Sequence, residues 1–400
     1  MDTKLVQDAP ALTGSEQGFS VVRVSSKEAL APYLPLLDDL AARALDPNPF
    51  YEPWMLPLAL EAMGGNANLV FLLVFNKDPS PKGPRLCGFF PIMSARRHHG
   101  LPIRSYRLLG HKYCSLGVPL VEAQSAASAL DHFLSASRSS RMTVVEFPMI
   151  PSGGEFHRVL IDVLHQRQLV NRLETRYLRA FYRIPESPSD YLKKALSGKT
   201  RKHLRRQRER LAQMGRLDYS TLDVAADREA WLREFLDLEA AGWKGKAKTA
   251  LASSGEDATS FMEAASRALE RGAVFGSALH LDGRMIAGRI LYRSGKGSYL
   301  FKIAYDETWA AFSPGTLLEL QTIENGLPDG VEWTDSCTAS SNKVFRRLWM
   351  DTRIIEHIVV SPGSAWGDLA VGLVPTLRWI KGRLKRRPNG GCHSREMAKW

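Results

Sequence analysis

The feature that most constrains the fold is a run of three strand patterns with almost no chain between them. Residues 274–281, 285–292 and 298–304 are rich in apolar, β-branched and aromatic residues, a composition typical of strands. Asp282-Gly283 separates the first two patterns, and a two-residue loop of this kind is a strong signal for a tight hairpin. The pattern therefore predicts an antiparallel meander, which has to bury one face against helices.

A helix with a distinctive start is predicted directly after the meander. The loop 305–315 ends in Ser313-Pro314-Gly315, and a helical pattern follows over 316–325. The N-terminus of a helix offers unpaired N–H groups and the positive end of the helix dipole to an anion such as a pyrophosphate. A binding site for an anionic group is therefore predicted at residues 313–316.

Mixed helical and strand patterns also fill the rest of the 400 residues, a length that suits two domains. Further helices are predicted at 27–45, 199–215, 227–241 and 259–271, and further strands at 69–76, 86–93, 105–109, 143–147, 332–335 and 354–360. A Pro/Ser stretch at 185–188 marks the boundary between the halves. The prediction is an α+β chain with an N-terminal arm at 1–18, domains at 19–184 and 185–361, and a tail at 362–400.

Several classes of protein are excluded by simple counts. The longest apolar run, 69–75, is far shorter than the roughly 18 residues of a membrane-spanning helix. The first residues lack a basic start followed by an apolar core, so a cytoplasmic location is predicted. Cys87, Cys114, Cys337 and Cys392 are widely spaced, which predicts reduced thiols with no disulfide and no bound metal. His98-His99 is interpreted as a surface pair in a basic loop.

The net charge of +12 is concentrated in two segments. The first, 193–210, contains nine Lys or Arg residues and one Glu, and most of them fall in the predicted helix 199–215. Such a helix could contact a nucleic-acid backbone, an anionic substrate or cofactor, or only solvent. The sequence leaves these three alternatives open.

The second basic segment follows an amphipathic pattern near the C-terminus. Its apolar stripe recurs every three or four residues and comprises Trp366, Leu369, Leu373, Leu377, Ile380 and Leu384. Basic residues beside such a stripe suit the surface of an anionic membrane, so a peripheral contact with the inner membrane is one reading. The simpler reading, which the kink expected at Pro375 favours, is a terminal helix that packs its stripe on the domain.

Five strings carry a resemblance to the GNAT acyltransferases. They are SGKTRKHLRRQRERL, LEAAGWKG, ALHLDGRMIAGRILY, FKIAYDETWAAFSPGTLLELQTIE and WTDSC...NKVFRRLW. In this order they resemble the CelD-like proteins of exopolysaccharide and cellulose biosynthesis, which are similar to the Fem-type aminoacyl transferases. The resemblance covers about residues 190–360, and 47–150 more loosely through PFYEPWML and GHKYCSLGVPLV. At the phosphate loop the chain departs from the family, with Ala310 in place of Gln or Arg and Ser313 in place of the first glycine.

This resemblance implies a fold and a reaction. The fold is two tandem GNAT-like domains, the first degenerate, each a mixed, largely antiparallel sheet flanked by helices. The reaction is transfer of an acyl group from acetyl-CoA or another acyl-CoA, without a metal, to a sugar, amino sugar or polysaccharide precursor. The alternatives are a Fem-type transferase whose donor is an aminoacyl-tRNA, or a non-catalytic accessory protein of a polysaccharide synthase.

The resemblance also implies where the donor binds. The carbonyl of the acyl group would accept a hydrogen bond from a backbone N–H of the last meander strand, within 301–304. The candidate donor-binding residues are Lys302, Ile303, Ser313, Pro314, Gly315 and Thr316.

Glu239 is the first candidate for the catalytic base or for a residue that binds the acceptor. It ends a predicted helix and precedes Trp243 and Lys244, which together with Tyr305 are the candidate substrate-binding residues. The alternative is that Glu239 only forms a local ion pair with Lys244 or Lys246.

Asp335 and Lys343 form the second candidate pair, as a base and a carbonyl-polarising cation, because Asp335 follows a predicted strand at a sheet edge. An ordinary surface ion pair is the alternative. Tyr305 and His280 are further candidates for proton transfer, and packing on the strand is the alternative for Tyr305. Cys337 could act as a nucleophile only with a nearby base, for which His357 is the histidine available.

Overall fold

The computed structural model describes residues 11–12, 18–62, 68–77, 83–223, 225–338 and 343–373. The chain divides into two compact units. Unit 1 comprises residues 1–46, 66–176 and 356–400, and unit 2 comprises residues 47–65 and 177–355. This division differs from the sequence-based one, because 47–65 and 177–184 belong to unit 2 and 356–361 belong to unit 1.

Unit 1 contains a largely antiparallel sheet. Its strands are Ala11–Leu12, Phe19–Val24, Leu69–Asn76, Arg85–Ala95, Ser105–Leu108, Leu120–Val121 and Val144–Pro151. The first five pair in chain order and are antiparallel, while Val144–Pro151 runs parallel to Ser105–Leu108. The central strand Leu69–Asn76 is buried over seven of its eight residues.

Helices cover this sheet. They are Lys27–Leu30, Leu34–Ala42, Ala126–Ser139, Glu155–Gln166 and a helix at 365–373, with 3-10 turns at Ala31–Tyr33 and Ala123–Ser125. The helical pattern predicted at 27–45 is therefore confirmed over 27–42, but it is divided between two helices and a 3-10 turn. Pro32 lies in the 3-10 turn and Pro35 in the first turn of the next helix, and proline cannot continue a helix because it lacks the N–H that the preceding turn requires.

Unit 2 contains the predicted meander. Val274–Leu281, Arg284–Ser294 and Gly297–Tyr305 pair antiparallel in chain order, and Leu217–Thr221 adds to the first of them. Trp333–Asp335 runs parallel to Gly297–Tyr305 and antiparallel to the end of strand Asn171–Arg183. Two strands, Asn171–Arg183 and Asp351–Val360, contribute residues to both units.

The helices of unit 2 surround the meander. They are Leu56–Ala62, Pro188–Ala195, Gly198–Ala212, Arg228–Ala241, Trp243–Lys246, Gly255–Glu270, Pro314–Asn325 and Lys343–Leu348, with 3-10 turns at Pro49–Tyr51, Leu251–Ser253 and Glu307–Phe312. Four of them, Pro188–Ala195, Gly198–Ala212, Pro314–Asn325 and Lys343–Leu348, share a core with the meander. Leu204, Leu318 and Phe345 are fully buried in this core.

The order of elements in unit 1 recurs in unit 2. From Phe19–Val24 in unit 1 and from Leu217–Thr221 in unit 2, the main elements follow one order. Four strands pair antiparallel in sequence, and a helix, a strand parallel to the fourth, another helix and a further strand follow. The first helix of this repeat is Ala126–Ser139 in unit 1 and Pro314–Asn325 in unit 2. The predicted α+β class, with largely antiparallel sheets flanked by helices, is confirmed.

Residues 47–62 pack within unit 2, whereas residues 18–46 and 68–77 belong to unit 1. Tyr299 donates its hydroxyl to Pro47 O at 2.7 Å, and Ser294 donates to a carboxylate oxygen of Glu52. The Trp54 ring packs edge-on against Tyr292, with ring centroids 4.9 Å apart. The segment is thus part of the aromatic core beneath the meander.

Candidate active site

The last meander strand has an open edge. Gly297–Tyr305 pairs with Trp333–Asp335 only from Gly297 to Tyr299. In the part of the chain that the structure describes, this ladder ends at Tyr299, so residues 300–305 face a gap rather than a neighbouring strand. Backbone N–H and C=O groups on such an edge are available to a ligand.

A cavity of about 470 Å³ lies at this open edge. Ten of the candidate residues line it: Glu239, Trp243, Lys244, Lys302, Ile303, Tyr305, Ser313, Pro314, Gly315 and Thr316. The structure thus brings together two sequence segments that are separated by almost sixty residues. Leu238, Leu300, Thr338 and Val344 also line the cavity and were not predicted, since apolar and hydroxyl side chains carry no distinctive pattern.

The backbone of Ile303 faces the cavity. A β-bulge precedes it, because Leu300 pairs with Leu291 and Lys302 with Ile290, which leaves Phe301 as an extra residue. The carbonyl of Ile303 accepts a hydrogen bond of 2.7 Å from Lys244 Nζ, so this carbonyl points away from the paired strand. The N–H and C=O of one strand residue point to the same edge, and the Ile303 N–H therefore faces the cavity too.

Glu239 forms a buried ionic cluster with two lysines. Its Oε1 lies 3.1 Å from Lys244 Nζ and 3.2 Å from Lys302 Nζ, and its Oε2 accepts a hydrogen bond of 2.9 Å from the Leu251 N–H. The Glu239 side chain is fully buried. The local ion pair with Lys244 is thus observed, together with a second lysine that comes from a different segment.

The electrostatics of this cluster keep Glu239 ionised. Burial by itself would raise the pKa of the Glu239 carboxyl, but Lys302, Lys244 and the Leu251 N–H hold this pKa below its ordinary value. A carboxylate with a low pKa and both oxygens engaged is a weak general base. A base role for Glu239 therefore lacks support from the geometry, although the residue lines the cavity.

The helix Pro314–Asn325 begins at the cavity, as predicted. Ser313 adopts a left-handed conformation with φ 55° and ψ 51°, which glycine adopts at lower cost. The carbonyl of Ser313 accepts from the N–H groups of Thr316 and Leu317. Gly315 leaves room for a ligand, since a Cβ there would meet only Tyr305 Cδ1 at 3.8 Å.

The basic helix Gly198–Ala212 lies beside the same loop. Gln207 Nε2 donates to Ala311 O at 2.9 Å, and Arg208 pairs with Glu324 at 3.4 Å. Leu204 and Leu211 are buried, while most of the basic side chains are exposed. The helix therefore presents positive charge next to the loop that precedes Pro314–Asn325.

Asp335 does not line the cavity. It is fully buried, with Oδ1 accepting from Arg179 at 3.4 Å and from the Cys337 N–H at 2.8 Å, and Oδ2 accepting from Arg353 at 3.2 Å. The surface ion pair that the sequence left as an alternative is therefore wrong, since Asp335 is paired inside the unit. Lys343 begins the helix Lys343–Leu348, and its side chain lies outside the described residues.

The remaining candidates have other partners. His280 lies 3.6 Å from Glu234 and does not line the cavity. His357 Nε2 lies 3.0 Å from Glu146 Oε2 in unit 1, while Cys337 belongs to unit 2. The reading of His98 as a surface residue is wrong, because it is buried with Nδ1 at 3.1 Å from Glu146 Oε1.

Among the described residues there is neither a cluster of metal-ligating side chains nor a membrane-spanning helix. Within these ranges no group of three or more His, Cys, Asp and Glu side chains is arranged to hold a metal ion. None of the described helices combines the length and apolar character needed to cross a membrane.

An open-edged meander with a helix N-terminus at its end is the arrangement that the sequence resemblance leads one to expect of an acyltransferase. Residues 198–343 match the family model described as an acetyltransferase (GNAT) domain. The chain therefore carries a GNAT-type acetyltransferase domain, and its enzyme class is acyltransferase. This domain contains the cavity and nearly all of its lining residues.

Two solved structures with TM-scores above 0.5 show the same fold at low sequence identity. A conserved protein of unknown function from Bacteroides thetaiotaomicron VPI-5482 is 11% identical with a TM-score of 0.51, covering 85% of this chain and 98% of that chain. FemX is 10% identical with a TM-score of 0.53, and the match covers 84% of this chain and 96% of FemX. A tandem GNAT protein from the clavulanic acid biosynthesis pathway is 15% identical with a TM-score of 0.39, and the match covers 87% of this chain and 99% of that protein. No curated protein matches the chain.

Proposed function

We propose that the chain is an acyl-CoA-dependent N- or O-acyltransferase that acts on a sugar, an amino sugar or a polysaccharide precursor. The observation that carries this proposal is the cavity at residues 300–305, which joins an open strand edge to the start of the helix Pro314–Asn325. The strand edge suits the amide groups of a pantetheine arm, and the helix start suits a pyrophosphate. The sequence resemblance to CelD-like proteins supplies the exopolysaccharide or cellulose context.

The proposed roles follow the geometry. Ile303 offers its N–H to the acyl carbonyl, while Ser313, Pro314, Gly315 and Thr316 hold the pyrophosphate at the helix start. Trp243 and Tyr305, both exposed at the cavity, bind the acceptor. Asp335 and Lys343 stay candidates from the resemblance alone.

Thermal unfolding with a panel of acetyl-, succinyl- and long-chain acyl-CoAs tests this proposal. A ligand at a hundred times its Kd stabilises the folded state by about 2.7 kcal/mol. The shift should vanish in Gly315→Leu, whose side chain would enter the cavity. It should persist in the matched control Gly255→Leu, where a glycine begins another helix of unit 2 and a Cβ meets nothing within 4 Å. Absence of a shift with every acyl-CoA would reject the proposal.

An aminoacyl-tRNA donor is the second candidate, and the exposed basic face of Gly198–Ala212 is the observation in its favour. Binding of tRNA through this face would weaken steeply with salt, because each neutralised phosphate releases counterions. Filter binding between 50 and 200 mM salt, with wild type and Arg205→Glu, separates the two donors. A salt-independent affinity that Arg205→Glu leaves unchanged would count against the tRNA donor.

We also propose a peripheral contact with an anionic membrane through the helix at 365–373. The sequence favoured a helix that packs its apolar stripe on the domain. For the described stripe residues this prediction is wrong, since Trp366, Leu369 and Leu373 are 76%, 49% and 47% exposed. Val371 is buried instead. The rest of the predicted stripe lies outside the described residues, but the sequence from 374 onward is strongly basic, which suits anionic lipid headgroups.

Flotation of the full chain with vesicles tests the membrane contact. We expect binding to vesicles that contain phosphatidylglycerol, weaker binding to pure phosphatidylcholine, and a clear loss in Trp366→Ser/Leu369→Ser. Equal partitioning of the wild type and this double variant would reject the contact.

A further inference from the structure

The reaction proposed above requires a group that stabilises negative charge on the acyl oxygen. We propose that Lys244 is a catalytic residue that supplies this stabilisation through its ammonium group, and that Glu239 is the positioning residue that holds Lys244 in place. This inference rests on the proposed function. It gives the cluster a role that differs from the acid–base role expected of Glu239.

The position of Lys244 carries the inference. Its Nζ donates to Ile303 O at 2.7 Å and lies 3.1 Å from Glu239 Oε1. The Ile303 N–H points to the same edge of the strand as the Ile303 carbonyl. A carbonyl oxygen that accepts from this N–H therefore lies beside the Lys244 ammonium group.

The hydrogen-bonding capacity of Lys244 fits this role. An ammonium group has three donors, and within the described chain Glu239 and Ile303 accept from two of them. The third is available to a substrate oxygen. The Lys244 side chain is 18% exposed and lines the cavity, so a bound acyl group can reach it.

The charges of the cluster favour an anionic transition state. Two ammonium groups, from Lys244 and Lys302, lie 3.1 Å and 3.2 Å from the carboxylate of Glu239, so the cavity wall carries positive charge at this point. Both oxygens of Glu239 are engaged, so the carboxylate fixes the lysines and does not take up a proton. In a water-poor site, a fixed charge of this kind stabilises a developing oxyanion more than it would in water.

The chemical step balances without a change in the protonation of Lys244. The amine or hydroxyl of the acceptor attacks the thioester carbonyl carbon, a C–N or C–O bond forms, and the carbonyl electron pair moves to oxygen. Lys244 and the Ile303 N–H stabilise that oxygen. The C–S bond then breaks, CoA leaves as a thiolate, and the proton that the acceptor loses balances the one that the thiolate gains.

The test uses the full chain and acetyl-CoA labelled with ¹³C at the thioester carbonyl. Calorimetry gives the Kd, ¹³C NMR gives the polarisation of the bound carbonyl, and release of the CoA thiol gives turnover with water as acceptor. In wild type we expect a downfield shift of the bound carbonyl. In Lys244→Gln we expect most of this shift to be lost and kcat to fall about 10²- to 10³-fold, the usual cost of removing one oxyanion donor, with Kd within about threefold.

Matched variants complete the test. Lys246→Met lies two residues away and removes an exposed pair with Glu307, so the carbonyl shift and kcat should stay at wild-type values. Lys244→Arg keeps the charge and should retain part of the carbonyl shift. Glu239→Gln should lower kcat more than it changes Kd.

The outcomes separate the two proposals. If wild type does not bind acetyl-CoA, the proposed function fails. If wild type binds and Lys244→Gln shows the same bound carbonyl shift, the role of Lys244 is wrong. If Lys244→Gln instead weakens Kd as much as it lowers turnover, Lys244 contributes only ground-state binding, and the inference is overturned as well.

Discussion

Arg289 and Glu319 form an ion pair in the core of unit 2, with 2.5 Å between Nη1 and Oε2 and both side chains 2% exposed. Arg289 Nε donates to Ser277 Oγ at 3.0 Å, and Trp349 Nε1 donates to Glu319 Oε1 at 2.9 Å. The pair thus joins the meander to the helix Pro314–Asn325, which begins at the cavity.

Removal of one partner from this pair should be costly. Glu319→Gln leaves the guanidinium group buried without a counter-charge, which typically costs about 3–5 kcal/mol. Guanidinium unfolding should show this loss, whereas Glu229→Gln, which removes an exposed pair with Arg233, should cost about 0.5 kcal/mol or less. Similar losses in the two variants would contradict the prediction.

Gly245 lies where a side chain does not fit. A Cβ at this position would be 1.8 Å from the backbone oxygen of Ala240, so Gly245→Ala must displace the short helix Trp243–Lys246. We expect a loss of about 1–3 kcal/mol from the overpacking and a fall in turnover, because Lys244 moves with the helix. Gly255→Ala, where a Cβ meets nothing within 4 Å, is the control, and equal turnover in both variants would refute the expectation.

His111 should make stability depend on pH. Burial, with a smaller effect of Lys112, lowers the pKa of His111 to about 4 from the usual 6.5. Below pH 6.5 the unfolded chain binds a proton that the folded chain does not bind until about pH 4. The free energy of unfolding should therefore fall by up to about 3 kcal/mol between pH 6.5 and 4. In His111→Gln the curve over this window should be flatter, and unchanged steepness would speak against His111 as the cause.

Cys87 should resist alkylation. Burial, with a contribution from Glu122, raises the pKa of its thiol to about 12, and only the thiolate reacts. At pH 8 we expect iodoacetamide to label Cys87 at least about 10³-fold more slowly than free cysteine. Peptide mapping by mass spectrometry, with the partly exposed Cys337 as internal comparison, checks this expectation. Labelling of both at the same rate in the folded protein would disprove it.

The meander was predictable because its signal is local. Asp282 and Gly283 both adopt positive φ, at 49° and 79°, and Asp-Gly is a pair that tolerates this geometry in a two-residue hairpin. The helix Gly255–Glu270 begins four residues before its predicted start at 259, because Ser254 caps it by accepting a hydrogen bond from the Asp257 N–H.

The ionic partners in the site were not predictable in the same way. Glu239 and Lys244 are neighbours in the sequence, and their pairing was foreseen. Lys302, on the last meander strand, pairs with the same Glu239 carboxylate. Arg179 pairs with Asp335, which lies 156 residues later in the sequence. Such pairings depend on strand order, which no local pattern contains.

The C-terminal stripe shows a further limit of sequence patterns. A period of three to four residues identifies an apolar face of a helix but not the surface that this face meets. Trp366 and Leu369 lie on the exposed face, while Ala370 and Val371 pack against the unit. The small side chains of Ala370 and Val371 allow this close packing, so the larger side chains of Trp366 and Leu369 stay exposed to solvent.

The grouping of residues 47–65 with unit 2 sets an order of events during synthesis. This segment is made before the rest of its unit, whose last residue, Ile355, follows 290 residues after residue 65. At about 5–20 residues per second, this interval is about 15–60 s. During that time Phe50 and Trp54, both buried in the finished unit, wait without the strands they pack against, so this stretch of the nascent chain is a natural client for a chaperone.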